Sequence, residues 1–144
     1  MLSKFLSRYY MKIITLSAAL ILICICAHSQ NLIGYKEKEI RKYMKENRSE
    51  MNYNTVINSK FNYLKYSDNL ENQTVLFFLT PDSVCRSVRI ICDMSLKPQK
   101  VKELNAQYLK NGENKWIDKQ KGKAFVVEMT DGKWSCVVSI ESKK

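Results

Sequence analysis

The sequence predicts an α+β domain in the order helix, three strands, helix, two strands, with both helices on one face of an antiparallel sheet. Three observations lead to this prediction. Apolar residues recur at helical spacing near residues 35–46 and 98–111, strand-like apolar runs lie between and after these segments, and two turn sequences join the runs into hairpins. Strands that follow a helix and pair with each other favour an antiparallel sheet, which buries one face against the helices.

The first 29 residues predict a cleaved secretory leader. Three basic residues precede an apolar stretch of 15 residues, 13–27, and no acidic residue occurs before position 30. A membrane span needs about 20 apolar residues, whereas a basic start, a shorter apolar middle and small residues before the cut are typical of a signal. Ala27 and Ser29 suit the small positions before a cleavage site. We therefore expect residues 1–29 to be removed and residues 30–144 to form a single exported domain, periplasmic or extracellular.

The leader leaves two alternatives open. Met11 with Lys12 already starts a complete signal, so Met11 is a candidate true start; retention of the apolar segment as an anchor is the other alternative. A lipid-modified cysteine is disfavoured because isoleucine precedes Cys24 and Cys26, whereas lipoprotein signals resemble Leu-x-(Gly/Ala)-Cys. The membrane is then a transient contact, made through the signal alone.

Removal of the leader would also remove His28, the only histidine of the chain. An exported domain without imidazole excludes Ser-His-Asp and Cys-His activation and histidine-ligated zinc. The four glycines are scattered and form no phosphate-binding loop. The sequence therefore predicts a non-enzymatic binding domain without metal or cofactor. The alternative is a small hydrolase or lyase that uses carboxylate or lysine chemistry.

The first helix is predicted over residues 35–46, because Ile40, Tyr43 and Met44 share one face. A polar, turn-rich segment follows, and residues 59–68 alternate as a strand. Runs 74–79 and 84–94 flank the turn Thr80–Ser83, whose proline and aspartate suit the central turn positions. In the second run, Cys92 shares the core face with its apolar neighbours, and Cys85 lies on the opposite face.

The second helix and the last hairpin complete the domain. Pro98 suits a first helical turn and Gly112 can end the helix. Asp131-Gly132 as a two-residue turn would pair Met129 with Trp134 and Val127 with Cys136. That pairing places Trp134 in the core, where we interpret it as structural.

Cys92 and Cys136 are both predicted to face the core. One interpretation is a disulfide, which would close a loop of about 45 residues and stabilise by about 4 kcal/mol in the chain-entropy model. The other is two buried thiols that act as small apolar groups. Cys85 cannot bond to Cys92, because the two face opposite sides of one strand.

The candidate binding site is the sheet face opposite the core. If the registers hold, it carries five apolar residues: Leu76, Phe78, Ile91, Val126 and Val137. An exposed apolar patch usually marks an interaction surface, so we expect a protein or cell-envelope component, or a second copy of the chain, as partner. The alternative is that a loop or the second helix covers these residues.

The basic character of the chain, net charge +10, is interpreted as a solvated surface. The basic runs are interleaved with acidic residues, carry little arginine and match no nucleic-acid-binding module. Nucleic acid is therefore not an expected partner.

Four stretches, "LKYSD", "TVLFFLTPDSVCRSVRIICD", "VKELNAQYLKNGENKWI" and "WSCVV", resemble a group of small exported bacterial proteins of unknown function. The order of a helix followed by antiparallel strands is loosely similar to β-lactamase-inhibitor-like domains, which act by binding proteins. The resemblance implies export and a self-contained domain, and it supplies no catalytic residue.

Overall fold

The dominant element of the structure is one antiparallel sheet of eight strands. A computed structural model describes residues 31–55 and 62–143. In this part of the chain the elements are α1 (Glu37–Asn47), β1 (Met51–Asn54), β2 (Tyr63–Asp68), β3 (Gln73–Leu79), β4 (Cys85–Asp93), a 3₁₀ turn (Met94–Leu96), α2 (Lys97–Gln107), β5 (Leu109–Lys110), β6 (Lys115–Gln120), β7 (Lys123–Asp131) and β8 (Ser135–Ser142). The predicted leader, residues 1–29, and the candidate start Met11 lie outside these residues.

The strand order across the sheet is β1-β2-β3-β4-β8-β7-β6-β5. Each half of the described chain is a helix followed by a four-strand meander, and the two halves join where β4 pairs with β8. The predicted fold class, with five strands in the order helix, three strands, helix, two strands and a layer of two helices, is therefore wrong. Contacts between neighbouring strands dominate the tertiary structure.

The missed strands have weak local signals. β1 lies in a segment that the sequence predicts as a polar turn, and Met51 is its only buried residue. β5 has two residues, both exposed, and β6 alternates only through Trp116 and Asp118. Such strands are defined by pairing with a neighbour that is distant in sequence, which local propensity does not reveal.

Alternate residues of the longer strands build the hydrophobic core. Ile40 and Met44 of α1 and Leu104 of α2 join the same cluster. The sheet contributes Leu64, Tyr66, Val75, Phe77, Leu79, Val88, Ile90, Cys92, Trp116, Phe125, Val127, Met129, Cys136, Val138 and Ile140. Residues between these positions point to the other side of the sheet, because successive side chains of a strand alternate.

The register of the last hairpin differs from the predicted one by four residues. Met129 pairs with Val138 and Val127 with Ile140. The connection is longer than two residues and is closed by the Gly132 amide, which donates to the Ser135 carbonyl at 2.8 Å. An even shift keeps every strand residue on its predicted face. The prediction for Trp134 is wrong, since Trp134 lies in the turn and is 74% exposed.

Cys85 is buried, so its predicted outward position is also wrong. Phe78 pairs with Ser87 and Leu79 with Cys85, which leaves Arg86 as an extra residue on β4. This β-bulge interrupts the alternation and turns Cys85 toward the core. Beyond the bulge, from Ser87 to Asp93, the predicted alternation of faces holds.

Candidate functional site

The structure places the five predicted site residues on one face of the sheet, which we call the outer face. Leu76 and Phe78 alternate with buried residues of β3, and Ile91 pairs directly with Val137 of β8. Val126 belongs to the same face, because its partner Glu141 has the strand parity of Val137. All five side chains are half-buried.

The five residues form three groups rather than one patch. Ile91 and Val137 lie side by side at the centre of the sheet. Val126 pairs with Ile117 of β6 on the far side, and the polar residues Ser139 and Glu141 separate it from the centre. Leu76 and Phe78 lie on β3, in the other half of the sheet. The sequence pattern did not identify their neighbours on the adjacent strands.

Those neighbours complete a compact surface that we call the β2–β4 patch: Tyr63, Lys65, Leu76, Phe78 and Arg89. Tyr63 pairs with Phe78, while Leu76 pairs with Lys65 on one side and with Arg89 on the other. The rings of Tyr63 and Phe78 lie 5.8 Å apart, and the Arg89 guanidinium lies 5.3 Å from the centre of the Phe78 ring. The patch therefore combines an aromatic pair with a stacked cation. Only the pairing of β2 with β3 and of β3 with β4 shows that these five residues are neighbours.

The β2–β4 patch is cationic. Lys65 and Arg89 flank Leu76, and among the ion pairs of the described residues neither takes part. On the other half of the outer face the charges are mixed: Lys115 and Glu128 form an ion pair of 3.1 Å, and Glu141 is exposed. The two halves of the outer face therefore differ in electrostatic character.

Two buried polar groups on the core side are satisfied by partners. The Lys100 ammonium donates to Glu103 at 2.6 Å, and the Asn31 amide donates to the Asp118 carboxylate at 2.6 Å. Burial of a charge or an amide is tolerated when a hydrogen bond replaces water. The first contact lies within one turn of α2. The second connects Asn31, which precedes α1, to β6.

Three thiols lie in the core, and two of them meet. Cys92 and Cys136 are direct partners across β4 and β8, and their Sγ atoms are 2.7 Å apart as free thiols. Burial raises the pKa of Cys92 to about 12, and the neighbouring Cys136 thiol adds to the rise. Burial likewise raises the pKa of Cys85 to about 12. The structure brings the two cysteines of the predicted pair together.

Residues within 31–55 and 62–143 line several clefts, of which two are described. One, about 390 Å³, lies between α1 and the edge strand β1 and is lined by Arg41, Lys45 and Tyr53 among others. Arg41 is engaged there, since its guanidinium pairs with Glu37 at 2.7 Å and donates to the Tyr53 hydroxyl at 3.0 Å. The other, about 230 Å³, lies beside the Lys121-Gly122 turn.

The described ranges, 31–55 and 62–143, hold no cluster of three or more His, Cys, Asp or Glu side chains suited to a metal ion. None of their helices has the length and apolar character required to cross a membrane.

No family model, curated protein or solved structure matches this chain. The resemblances suggested by the sequence therefore stay predictions.

Proposed function

We propose that this protein is a non-enzymatic exported domain that binds an acidic protein partner through the β2–β4 patch of the outer face. The observation that carries the proposal is the grouping of Tyr63, Phe78 and Arg89 around Leu76. Tyrosine and arginine are enriched among the residues that dominate binding energy at protein interfaces. Their side chains are here held in contact before any partner arrives, which lowers the entropy cost of binding.

Burial of the apolar part of the patch supplies the driving force. Leu76 and Phe78 are half-buried in the isolated domain, so a partner that covers them removes further apolar surface from water. Each 100 Å² of apolar surface covered contributes roughly 2–3 kcal/mol before the costs of association. The remaining outer-face residues Ile91 and Val137 extend the contact toward the centre of the sheet.

Charge selects the kind of partner. Lys65 and Arg89 present positive charge on both sides of Leu76, and residues 30–144, the proposed exported domain, carry a net charge of +7. A second copy of the chain would bring like charges together, whereas acidic side chains around an apolar protrusion complement the patch. An acidic protein is therefore favoured over self-association.

Export is part of the proposal, and the leader pattern, which predicts cleavage after Ser29, supports it.

The test is photo-crosslinking in the native organism. A photoreactive phenylalanine analogue replaces Ser87, which pairs with Phe78 at the border of the patch, or, as matched control, Leu70, which is 78% exposed in the turn between β2 and β3. We expect a discrete adduct with an acidic protein from position 87 and none from position 70. Phe78→Lys in the same chain is expected to reduce the adduct at least tenfold, and Phe78→Leu to retain most of it.

Two outcomes contradict the proposal. Equal adducts from positions 87 and 70 would show that the patch has no special role. A homodimer seen by light scattering, and abolished by Phe78→Lys, would make a second copy the occupant instead of an acidic partner.

A further inference from the structure

The two halves of the described fold are joined at one seam, the pairing of β4 with β8, and two thiols face each other across it. Cys92 belongs to β4 and Cys136 to β8, so each half contributes one sulfur. We propose that in an oxidising compartment Cys92 and Cys136 form a disulfide that covalently joins the two halves of the domain. Neither the sheet face nor its partner is involved.

The geometry favours this bond. Directly opposite residues of antiparallel strands have Cα atoms about 4.5–5.5 Å apart, which is within the range of about 4.4–6.8 Å that disulfides span. The Sγ atoms are already in contact at 2.7 Å, and both side chains point into the core. Bond formation therefore requires no change of register.

The third thiol cannot compete within the folded domain. Cys85 lies on the same strand as Cys92, seven residues away, which corresponds to about 23 Å along an extended chain. The structure therefore assigns one pairing among the three described cysteines.

The reaction is a thiol–disulfide exchange with an external disulfide, such as oxidised glutathione, as oxidant. One thiolate of the pair attacks a sulfur of the oxidant, forms a mixed disulfide and releases one glutathione thiolate. The second thiolate attacks the protein sulfur of the mixed disulfide and releases the other. Two electrons pass to the oxidant, and the two thiol protons end on the released thiolates.

Burial determines when the bond forms. The side chains of Cys92 and Cys136 are 1% and 0% exposed, and the Cys92 pKa is raised to about 12, so few thiolates are present in the folded, reduced protein. Oxidation is therefore expected while the chain folds or opens. Once formed, the bond is protected from reductants by the same burial.

The experiment uses the full chain made by cell-free translation, with oxidised glutathione in one reaction and dithiothreitol in the other. Free thiols are blocked with iodoacetamide in denaturant before digestion. Trypsin releases Cys92 in residues 90–100 and Cys136 in residues 134–143. We expect these two peptides to be linked in the oxidising reaction and both alkylated in the reducing one, with Cys85 alkylated in both.

A melting experiment provides the second readout. Reduction of the bonded protein is expected to lower the melting temperature by roughly 5–15 °C, because the cross-link restricts the unfolded chain. Cys85→Ser serves as control and keeps this difference, whereas Cys92→Ser abolishes it. Comparison of the wild-type chain with and without reductant keeps the test valid if Cys92→Ser does not fold.

Alkylation of both Cys92 and Cys136 after oxidising synthesis would overturn the proposal. Linkage of either residue to another cysteine, or to glutathione alone, would overturn it as well. The oxidant is supplied in the reaction, so this result is independent of export and of the proposed partner.

Discussion

At the scale of single residues, burial determines the chemistry of Cys85. Its side chain is 2% exposed, and its sulfur lies 3.5 Å from the Ser87 carbonyl. Removal from water disfavours the thiolate and raises the pKa from an ordinary value near 9.0 to about 12. The thiol is therefore protonated in the folded protein over a pH range in which an unfolded chain ionises.

This difference predicts a loss of stability at alkaline pH. Between about pH 9 and pH 12 the unfolded thiol releases its proton and the folded one keeps it, so the free energy of unfolding falls as pH rises. Below about pH 9 the Cys85 thiol is protonated in both states, and its full contribution to the free energy of unfolding is present. Urea unfolding under reducing conditions should show wild type losing stability relative to Cys85→Ala by up to about 1.4 kcal/mol per pH unit. Parallel pH profiles for the two proteins would contradict it.

The two tryptophans show which residue positions the sequence could predict. Trp116 is 1% exposed, and its indole N–H donates to Asn105 at 2.8 Å. Trp134 was expected in the core because Asp131-Gly132 is a strong two-residue turn signal. The longer connection overrides that signal and leaves Trp134 exposed, with Lys133 stacked on its ring. Local turn chemistry did not determine the loop length.

At the scale of elements, α2 is unusual because one of its two buried residues is charged. The Lys100 side chain is 6% exposed and pairs with Glu103, which is 36% exposed, one turn further along the helix. The pair holds a charge inside the protein. Removal of the Glu103 charge and removal of the Lys100 charge affect stability differently, because only the first leaves a buried charge without a partner.

We therefore expect Glu103→Gln to lower the free energy of unfolding by about 1–3 kcal/mol, since it leaves Lys100 buried without a counter-charge. Lys100→Met should be neutral or stabilising, because an apolar side chain of similar length fills the space. Both effects are measured by urea unfolding at pH 7. The control is Glu128→Gln, which breaks the exposed Lys115–Glu128 pair and should change stability by less than about 1 kcal/mol. Equal effects at Glu103 and Glu128 would refute the argument.

The elements also separate what a local pattern determines from what pairing determines. The first helix was predicted over 35–46 and spans Glu37–Asn47, because its apolar period is strong. β3, β7 and β8, together with β4 beyond its bulge, alternate clearly, which is why the outer-face residues were identified. β1 and β5 have almost no buried face, and they are strands only because β2 and β6 pair with them.

At the scale of the whole molecule, the sequence pattern did not predict that the described chain consists of two halves, each a helix followed by four strands. The helices α1 and α2 share no recognisable motif, and the joining contact of β4 with β8 lies between segments about 45 residues apart. Contacts at that separation leave no local signal. The five outer-face residues could be predicted, because alternation is a local pattern within each strand. The grouping of Tyr63, Lys65 and Arg89 around Leu76 could not be predicted, because it depends on how β2, β3 and β4 pair.

The shared seam predicts that the two halves unfold as one unit. β4 and β8 have a paired strand on both sides and carry Val88, Val138 and Ile140, each of which is 0% exposed. Their amides should therefore exchange with deuterium only through global unfolding, whereas the edge strands β1 and β5 open locally and exchange faster. Hydrogen exchange under EX2 conditions, followed by mass spectrometry, measures both.

With increasing urea, the protection of β2–β4 and of β6–β8 should decline together, because neither meander can keep its buried face without the other. Full-length protein with the Leu70→Lys substitution is a suitable control, since that turn residue is 78% exposed and its loss should leave the pattern unchanged. If β1–β4 lost protection as a block while β5–β8 stayed protected, the halves would be independent folding units. The central pairing of β4 with β8 would then be a contact between two domains rather than the centre of a single core.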